Sequence, residues 1–228
     1  MKRRTRDDAG LTLAEMMVVM MLMGLLSALV LTFVTTVERQ MTNSKITNEN
    51  TNQASAATNE VTKLLRGAVN LKVKGQPVDA PAFVEAGPTS MTFYTVVDTD
   101  PTTTPPMLVR LEVTADGSLV EKRWLADPHS ADPYWTFPST AQTPDSTRTI
   151  AHAMTARPGS GKTLFTYLAY DTHGNQVAIA AAGSLSSTQR ATVGAVRLDA
   201  QVQTGTRVEP SVITTVVGLR NLPTGSHG

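Results

Sequence analysis

The chain has 228 residues, of which 41% are hydrophobic and 17% are charged, and this composition supports a buried core and argues against wholesale disorder. Its 20 Lys and Arg residues nearly balance 19 Asp and Glu residues, so it lacks the excess positive charge of an extended nucleic-acid-binding face. Cysteine is absent, which excludes disulfides, thiolate nucleophiles and cysteine-ligated metal sites.

Basic residues concentrate at the N-terminus, ahead of a long apolar segment. Residues 1–10 read MKRRTRDDAG, whereas residues 16–34 are apolar apart from one glycine and two hydroxyl residues. Because about 20 apolar residues cross the hydrocarbon core of a bilayer, residues 16–34 are predicted to be a transmembrane segment. The basic cluster precedes this segment, so the positive-inside rule places the N-terminus in the cytoplasm and exports the C-terminal part.

Three interpretations of this N-terminus compete: a cleaved secretory signal, an uncleaved membrane anchor, and a leader that is cut before the apolar segment. A secretory signal needs a small-x-small site after the apolar region, and Ser27 and Ala28 form only a poor one. A cut between Gly10 and Leu11 instead creates an α-amine four residues before Glu15, one helical turn away. This third interpretation gives an otherwise costly carboxylate a cationic partner, on the same or on a neighbouring subunit.

The apolar segment is directly preceded by Gly10, Leu11, Thr12, Leu13, Ala14 and Glu15. These residues resemble the processing site of type IV prepilins and pseudopilins. The resemblance implies cleavage after Gly10 by a membrane-embedded prepilin peptidase, methylation of the new N-terminal Leu11, and a filament-assembly role for Glu15. The family more often has Phe where this chain has Leu11. The alternative is an ordinary single-span anchor whose leader matches by chance.

The chain from residue 11 to residue 66 lacks strong helix breakers other than Gly24, so we predict one long helix over 11–66. Its second half carries apolar or small residues at helical spacing, namely Val37, Met41, Ala54, Ala57, Val61, Leu64, Leu65 and Ala68. The Asn and Thr residues at 42–52 have low helix propensity, which predicts fraying or a kink there. Many major pilins have a proline early in this helix. This chain has none and resembles pseudopilins and minor pilins more closely.

After Gly67 the pattern changes to short alternating or β-branched segments separated by turn residues. We predict strands at 70–74, 90–97, 107–114, 118–125, 163–170, 176–181, 193–203 and 212–219. Turns at 115–117 and 171–175 predict two hairpins. The expected fold class is α+β, with a cleaved leader at 1–10, the long helix at 11–66 and an antiparallel β-rich exported head at 67–228, on which the helix packs.

The head shows a second resemblance, to J-type pseudopilins and W-type minor pilins. It is carried in order by Leu111-Glu112-Val113, Asp116-Gly117, Leu119-Val120, Arg123, Phe165, Tyr167, Asp171, Gly174 and the terminal run from Thr215 to Asn221. These positions are mostly strand and turn residues, so a different small β-rich pilin head would give a similar pattern.

Several patterns suggest chemistry that we interpret as structural. The run from Gly159 to Thr163 resembles the end of a phosphate-binding loop but lacks its first glycine and a following helix, so a hairpin connection is favoured. Asp98, Asp100 and Asp116 are calcium-type oxygen donors, but Asp in loops usually makes turns. The histidines, His129, His152, His173 and His227, have no metal-ligand spacing, and no Gly-x-Ser-x-Gly motif occurs. No catalytic residue, cofactor or metal is expected, and the chain is not expected to be an enzyme.

Three aromatic residues, Tyr134, Trp135 and Phe137, lie between Pro133 and Pro138. They either present a contact surface to a partner or fold back to cap the core. Capping is favoured, because exposed aromatic surface is costly.

The sequence therefore predicts a minor pilin or pseudopilin that helps to initiate or cap a type IV pilus or a type II secretion or competence pseudopilus. Its expected partners are prepilin peptidase, membrane lipid before assembly, the inner-membrane assembly platform, and other pilin subunits through the N-terminal helix. No direct nucleic-acid binding is expected. The expected location is the cytoplasmic membrane, with one span, and then the filament at the cell envelope or surface. The alternative is a membrane-anchored exported binding module or enzyme that never enters a filament.

Overall fold

The computed structural model describes residues 12–76, 78–97, 105–127, 134–159, 161–180, 183–205 and 208–222. The chain divides into two compact units, Met1–Lys45 and Ile46–Gly228. A long N-terminal helix is followed by antiparallel sheets, so the predicted α+β class is confirmed.

Helix α1 spans Leu13–Arg66 and runs unbroken through residues 42–52, where we had expected fraying. Threonine hydroxyls in this stretch donate to carbonyls one turn back, from Thr42 to Glu38 at 2.9 Å and from Thr51 to Thr47 at 2.9 Å. These bonds satisfy the hydroxyls within the helix itself, so the threonines do not draw the backbone into a different local structure. The helix ends at Arg66, and the next residue is Gly67, where a Cβ would collide with the carbonyl oxygen of Val96, so this close approach requires glycine.

In the part of the chain that the structure describes, ten strands form two antiparallel sheets. The first sheet has the order β1-β2-β3-β4-β5, with β1 at Phe83–Ala86, β2 at Ser90–Thr95, β3 at Met107–Val113, β4 at Leu119–Leu125 and β5 at Ser146–Ala151. The second has the order β10-β9-β7-β8, and β6 also pairs with β9. Its strands are β6 at Met154–Ala156, β7 at Phe165–Tyr170, β8 at Gln176–Ala178, β9 at Ala195–Val202 and β10 at Ser211–Gly218, and helix α2 spans Ser187–Ala191.

Seven of the eight predicted strands are present, and both predicted hairpins are confirmed at β3–β4 and β7–β8. The prediction at 70–74 was wrong. There the chain makes two isolated bridges, from Leu71 to Ala80 and from Val73 to Trp135. Strands β1, β5 and β6 and helix α2 were missed because they are short or polar and lack a clear alternation of apolar residues.

The main core joins one face of the head half of α1 to both sheets. The helix contributes Ala54, Ala57, Val61, Leu64 and Leu65, and the sheets contribute Met91, Phe93, Val109, Leu111, Leu119, Val196, Leu198, Ala200 and Val202. A second cluster of Ala80, Tyr94, Leu108 and Trp124 lies on the opposite face of the first sheet. This cluster covers part of that face, and the partly exposed, ion-paired side chains of Arg110, Glu112 and Lys122 lie on the rest of it.

Candidate functional site

Glu15 is held at the start of helix α1 by a reciprocal set of hydrogen bonds with Thr12. The Thr12 backbone N–H and hydroxyl both donate to Glu15 Oε2, at 3.0 and 3.1 Å, and the Glu15 N–H donates to Thr12 Oγ1 at 3.3 Å. This is a capping box, in which the N-cap side chain and the third helical residue satisfy each other's free backbone donors. The first helical turn thus fixes the carboxylate beside the point where the mature N-terminus is expected.

Of the three predicted site residues, the structure describes Glu15, while Gly10 and Leu11 lie outside the described residues. Glu15 and Thr12 are both exposed, so the Glu15 carboxylate and the Thr12 hydroxyl are open to solvent. Sequence reasoning identified Glu15 but missed the part played by Thr12. The signal was present, because Thr-x-x-Glu before an apolar run is the pattern of a capping box.

The apolar segment that follows is exposed along its length among the described residues. Its large hydrophobic side chains from Leu13 to Val34 are between 43% and 79% exposed. By length and apolar composition, α1 is a candidate membrane span, with a mean hydropathy of 2.6 over its most apolar stretch. Such a surface needs lipid or the helices of other subunits around it.

A family model described as a prokaryotic N-terminal methylation motif matches residues 5–31, which include Gly10, Leu11 and Glu15. The motif indicates a type IV pilin-like precursor. It implies processing by a prepilin peptidase and assembly with other pilins, and with the apolar helix it supports a membrane-anchored single-pass protein. A motif of this kind is typical of structural proteins rather than of enzymes. No curated protein matches the chain.

Asp116, Ser118 and His152 lie together in the head but in the wrong order for a catalytic triad. The Ser118 hydroxyl donates to Asp116 Oδ2 at 2.9 Å, and its oxygen lies 3.1 Å from His152 Nδ1. Because a hydroxyl has one proton, the histidine nitrogen must be the donor in the second bond. Ser118 is therefore not paired with a general base, whereas in a triad the histidine stands between the other two residues.

The other suggested sites are turns where the structure describes them. Hydrogen bonds from the side chains of Thr114 and Ser118 hold the pKa of Asp116 below its usual value within the β3–β4 hairpin. Gly159 and Gly161 both have positive φ in the β6–β7 connection, where no helix follows. Among the described residues, no group of three or more His, Asp or Glu side chains is placed to hold a metal ion. The residues Asp98, Asp100, His129, Ser160 and His227 lie outside the described part of the chain.

A quartet of charged side chains fixes the head half of α1 on the first sheet. Arg148 Nε donates to Glu121 at 2.6 Å, Arg123 Nη2 donates to Glu60 at 3.4 Å, and Arg123 also binds Glu121 while Arg148 also binds Glu60. Glu121 is completely buried, whereas Arg148 is about half exposed. Partial burial lowers the pKa of Arg148, but the hydrogen bond and charge of Glu121, with Glu60, raise it overall.

Sequence reasoning missed this quartet, although strand alternation places Glu121 and Arg123 on the same face of β4 as Leu119. The strand pattern locates Glu121 and Arg123 on β4. Their partners, Glu60 and Arg148, lie on α1 and β5, and the pattern of β4 does not identify them.

The aromatic loop is covered in part by the head. Phe137 packs on Tyr94 with ring centroids 4.9 Å apart, and Trp135 is bound through its backbone to Lys72 and Lys74. Tyr134 is about half exposed. Capping of the second cluster is thus confirmed for Phe137.

Proposed function

We propose that the chain is a minor pilin or pseudopilin, a structural subunit that helps to initiate or cap a type IV pilus or a type II secretion or competence pseudopilus. The observation that carries the proposal is the combination at one helix end: the methylation motif at residues 5–31, a fixed carboxylate at Glu15, and an apolar surface exposed from Leu13 to Val34.

In this proposal each residue of the motif has one role. The peptidase cuts after Gly10, Leu11 becomes the methylated N-terminus, and Glu15 receives the α-amine of a neighbouring subunit during assembly. The capping box supports such a role, because Thr12 orients the carboxylate while leaving it open to solvent. A cation that arrives at this position gains a charge-assisted hydrogen bond, which is stronger than a neutral one.

The apolar half of α1 serves in two places in turn. It first holds the subunit in the cytoplasmic membrane, with the N-terminus inside and the head exported. It then leaves the lipid through the assembly platform and packs against the helices of other subunits in the filament core. The exchange is feasible because lipid tails and helix packing both satisfy the same exposed side chains.

A minor rather than a major subunit is favoured by two features. The first half of α1 contains no proline, and the head has two separate sheets with long connections. The resemblance to J-type pseudopilins and W-type minor pilins points the same way. The head would then sit at or near the filament tip, without binding nucleic acid directly.

The test is incorporation of the chain into sheared filaments from its native cells. Glu15→Ala should remove the chain from the filament fraction while leaving it in the membrane. Glu38→Ala, a carboxylate substitution farther along the same exposed half of the helix, is the matched control and should assemble normally. If Glu15→Ala assembles as well as the control, or if the unaltered chain never leaves the membrane, the alternative of a membrane-anchored binding module or enzyme is favoured.

A further inference from the structure

Strand β10 is the least protected edge of either sheet in the described part of the chain. It has eight residues, an unbroken register with β9, and no proline or charged side chain. The other edges are modified in ways that discourage pairing: β1 has four residues and an irregular register, β6 and β8 have three residues each, and β5 carries Arg148. A long, uncharged edge is a template for another strand.

The hydrogen-bonding groups of β10 alternate between its two sides. On β9, the N–H groups of Asp199 and Gln203 donate to Leu164 and Ala153, away from β10. The alternate residues of β9 therefore bond to β10. These are Val196, Leu198, Ala200 and Val202, and their partners on β10 are Val217, Thr215, Ile213 and Ser211.

The N–H and C=O groups of Val212, Thr214 and Val216 consequently point away from β9, toward the open edge of the sheet. No backbone hydrogen bond to these three groups occurs outside the ladder among the described residues. All three residues are exposed, and Val212 is 53% exposed.

An open groove of about 560 Å³ lies along this edge, with helix α1 as its other wall. Ser211 to Thr215 line one side, and the helix side consists of Thr51, Ala54, Ser55, Thr58 and Asn59. A contact between the hydroxyls of Thr51 and Ser211, 3.3 Å apart, joins the two walls at one end. No lining residue is charged, so the groove suits a segment without charged side chains.

We propose that this groove receives an extended, uncharged segment of another exported subunit, which adds to the second sheet as a strand beside β10. The backbone groups of Val212, Thr214 and Val216 would bind its main chain, and the small polar helix side chains would contact one of its faces. From residue 212 to residue 216 the edge is about 14 Å long, which corresponds to about five residues of partner strand. That the donor is a filament subunit rests on the proposed function, whereas the strand-binding property does not.

The probe is the peptide acetyl-Thr-Val-Thr-Val-Thr-amide, added to the full chain in detergent micelles. Hydrogen exchange is read residue by residue. Without peptide, the amides of Val212, Thr214 and Val216 should exchange faster than those of Ile213 and Thr215. With peptide, the same three amides should slow by at least tenfold.

Two controls distinguish backbone pairing from nonspecific binding of the peptide. A peptide of the same sequence with alternate N-methyl groups has the same side chains but lacks the donors for pairing, and it should give no protection. On the protein, Thr214→Pro removes the outward N–H and should weaken binding at least tenfold, whereas Thr214→Val should bind normally. Both substitutions lose the same 3.5 Å hydrogen bond from Arg157, so they are matched.

Equal protection by the N-methylated peptide, or no protection of the three edge amides, overturns the proposal. This holds even if Thr214→Pro does not fold, because the peptide comparison uses the unaltered chain. The result is also independent of filament formation, since N-terminal processing and assembly are measured separately.

Discussion

The two halves of helix α1 have the same backbone and opposite surroundings. From Leu13 to Val34 its large apolar side chains are exposed, whereas between Ala54 and Leu65 a stripe of small and apolar residues is at most 8% exposed within the head. The first half is apolar on every side, and the second is apolar on one face. The comparison shows that the first half is built for partners outside the chain and the second for packing within it.

The largest expected difference comes from shortening a leucine in each half. Leu64→Ala should lower the free energy of unfolding of the head by about 2–5 kcal/mol, because it leaves a cavity in the core. Leu25→Ala should leave head stability unchanged, because Leu25 is exposed. Urea unfolding of the full chain in micelles, followed by the fluorescence of Trp124 and Trp135, both of which lie in the head, measures both. Equal losses would contradict the contrast between the halves.

A smaller effect is expected from one carboxylate in each half. Glu60→Gln weakens the charged contacts to Arg123 and Arg148 and should cost about 2 kcal/mol of head stability. Glu38→Gln, at an exposed position, should change stability by less than about 0.5 kcal/mol. A double-mutant cycle with Arg123→Gln should give a coupling energy clearly different from zero, and additivity would show that the quartet does not act as a unit.

At the start of the first half, Thr12→Val removes the hydroxyl of the capping box. This should cost about 1 kcal/mol of local helix stability, so the Glu15 amide should exchange faster with solvent. Thr12→Ser keeps the hydroxyl and should behave as the unaltered chain. Identical exchange of the Glu15 amide in Thr12→Val and Thr12→Ser would show that the box does not stabilise this helix end.

The smallest effect is a pH dependence confined to the head. Burial alone raises the pKa of Glu112, but hydrogen bonds from Lys122 and Arg110 lower it overall, below its ordinary value of 4.5. The stabilisation from Glu112 is therefore complete above pH 4.5 and is lost as the pH falls through the folded-state pKa. Urea midpoints from pH 6 to pH 3 should fall less steeply for Glu112→Gln, and parallel curves would contradict this assignment.

Local patterns predicted most of the fold. The scarcity of helix breakers from residue 11 to residue 66 predicted α1, and turn residues such as Gly117 and Gly174, which adopt positive φ, predicted the two hairpins. Strand β5 was missed because Ser146–Ala151 is polar and exposed, and it is a strand because β4 supplies its partner. Composition of a segment does not reveal such pairing.

The candidate site was predicted in part for the same reason. Glu15 stood out because a carboxylate beside an apolar run is costly, and its pairing with Thr12 is a local contact that the sequence pattern contains. The quartet around Glu121 brings together residues up to about 90 positions apart, since it joins Glu60 to Arg148, and the groove beside β10 joins Thr51 to Ser211, 160 positions apart. Their approach follows from the packing of the helix on both sheets, which no short segment specifies.

The most direct test of the central claim is intact and N-terminal peptide mass spectrometry of the chain from its native membrane. The proposed function predicts a mature protein that begins at N-methylated Leu11, without residues 1–10. A chain that begins at Met1, or one cut after the apolar segment, would contradict the pilin-like account and turn attention to the head as a binding or catalytic module.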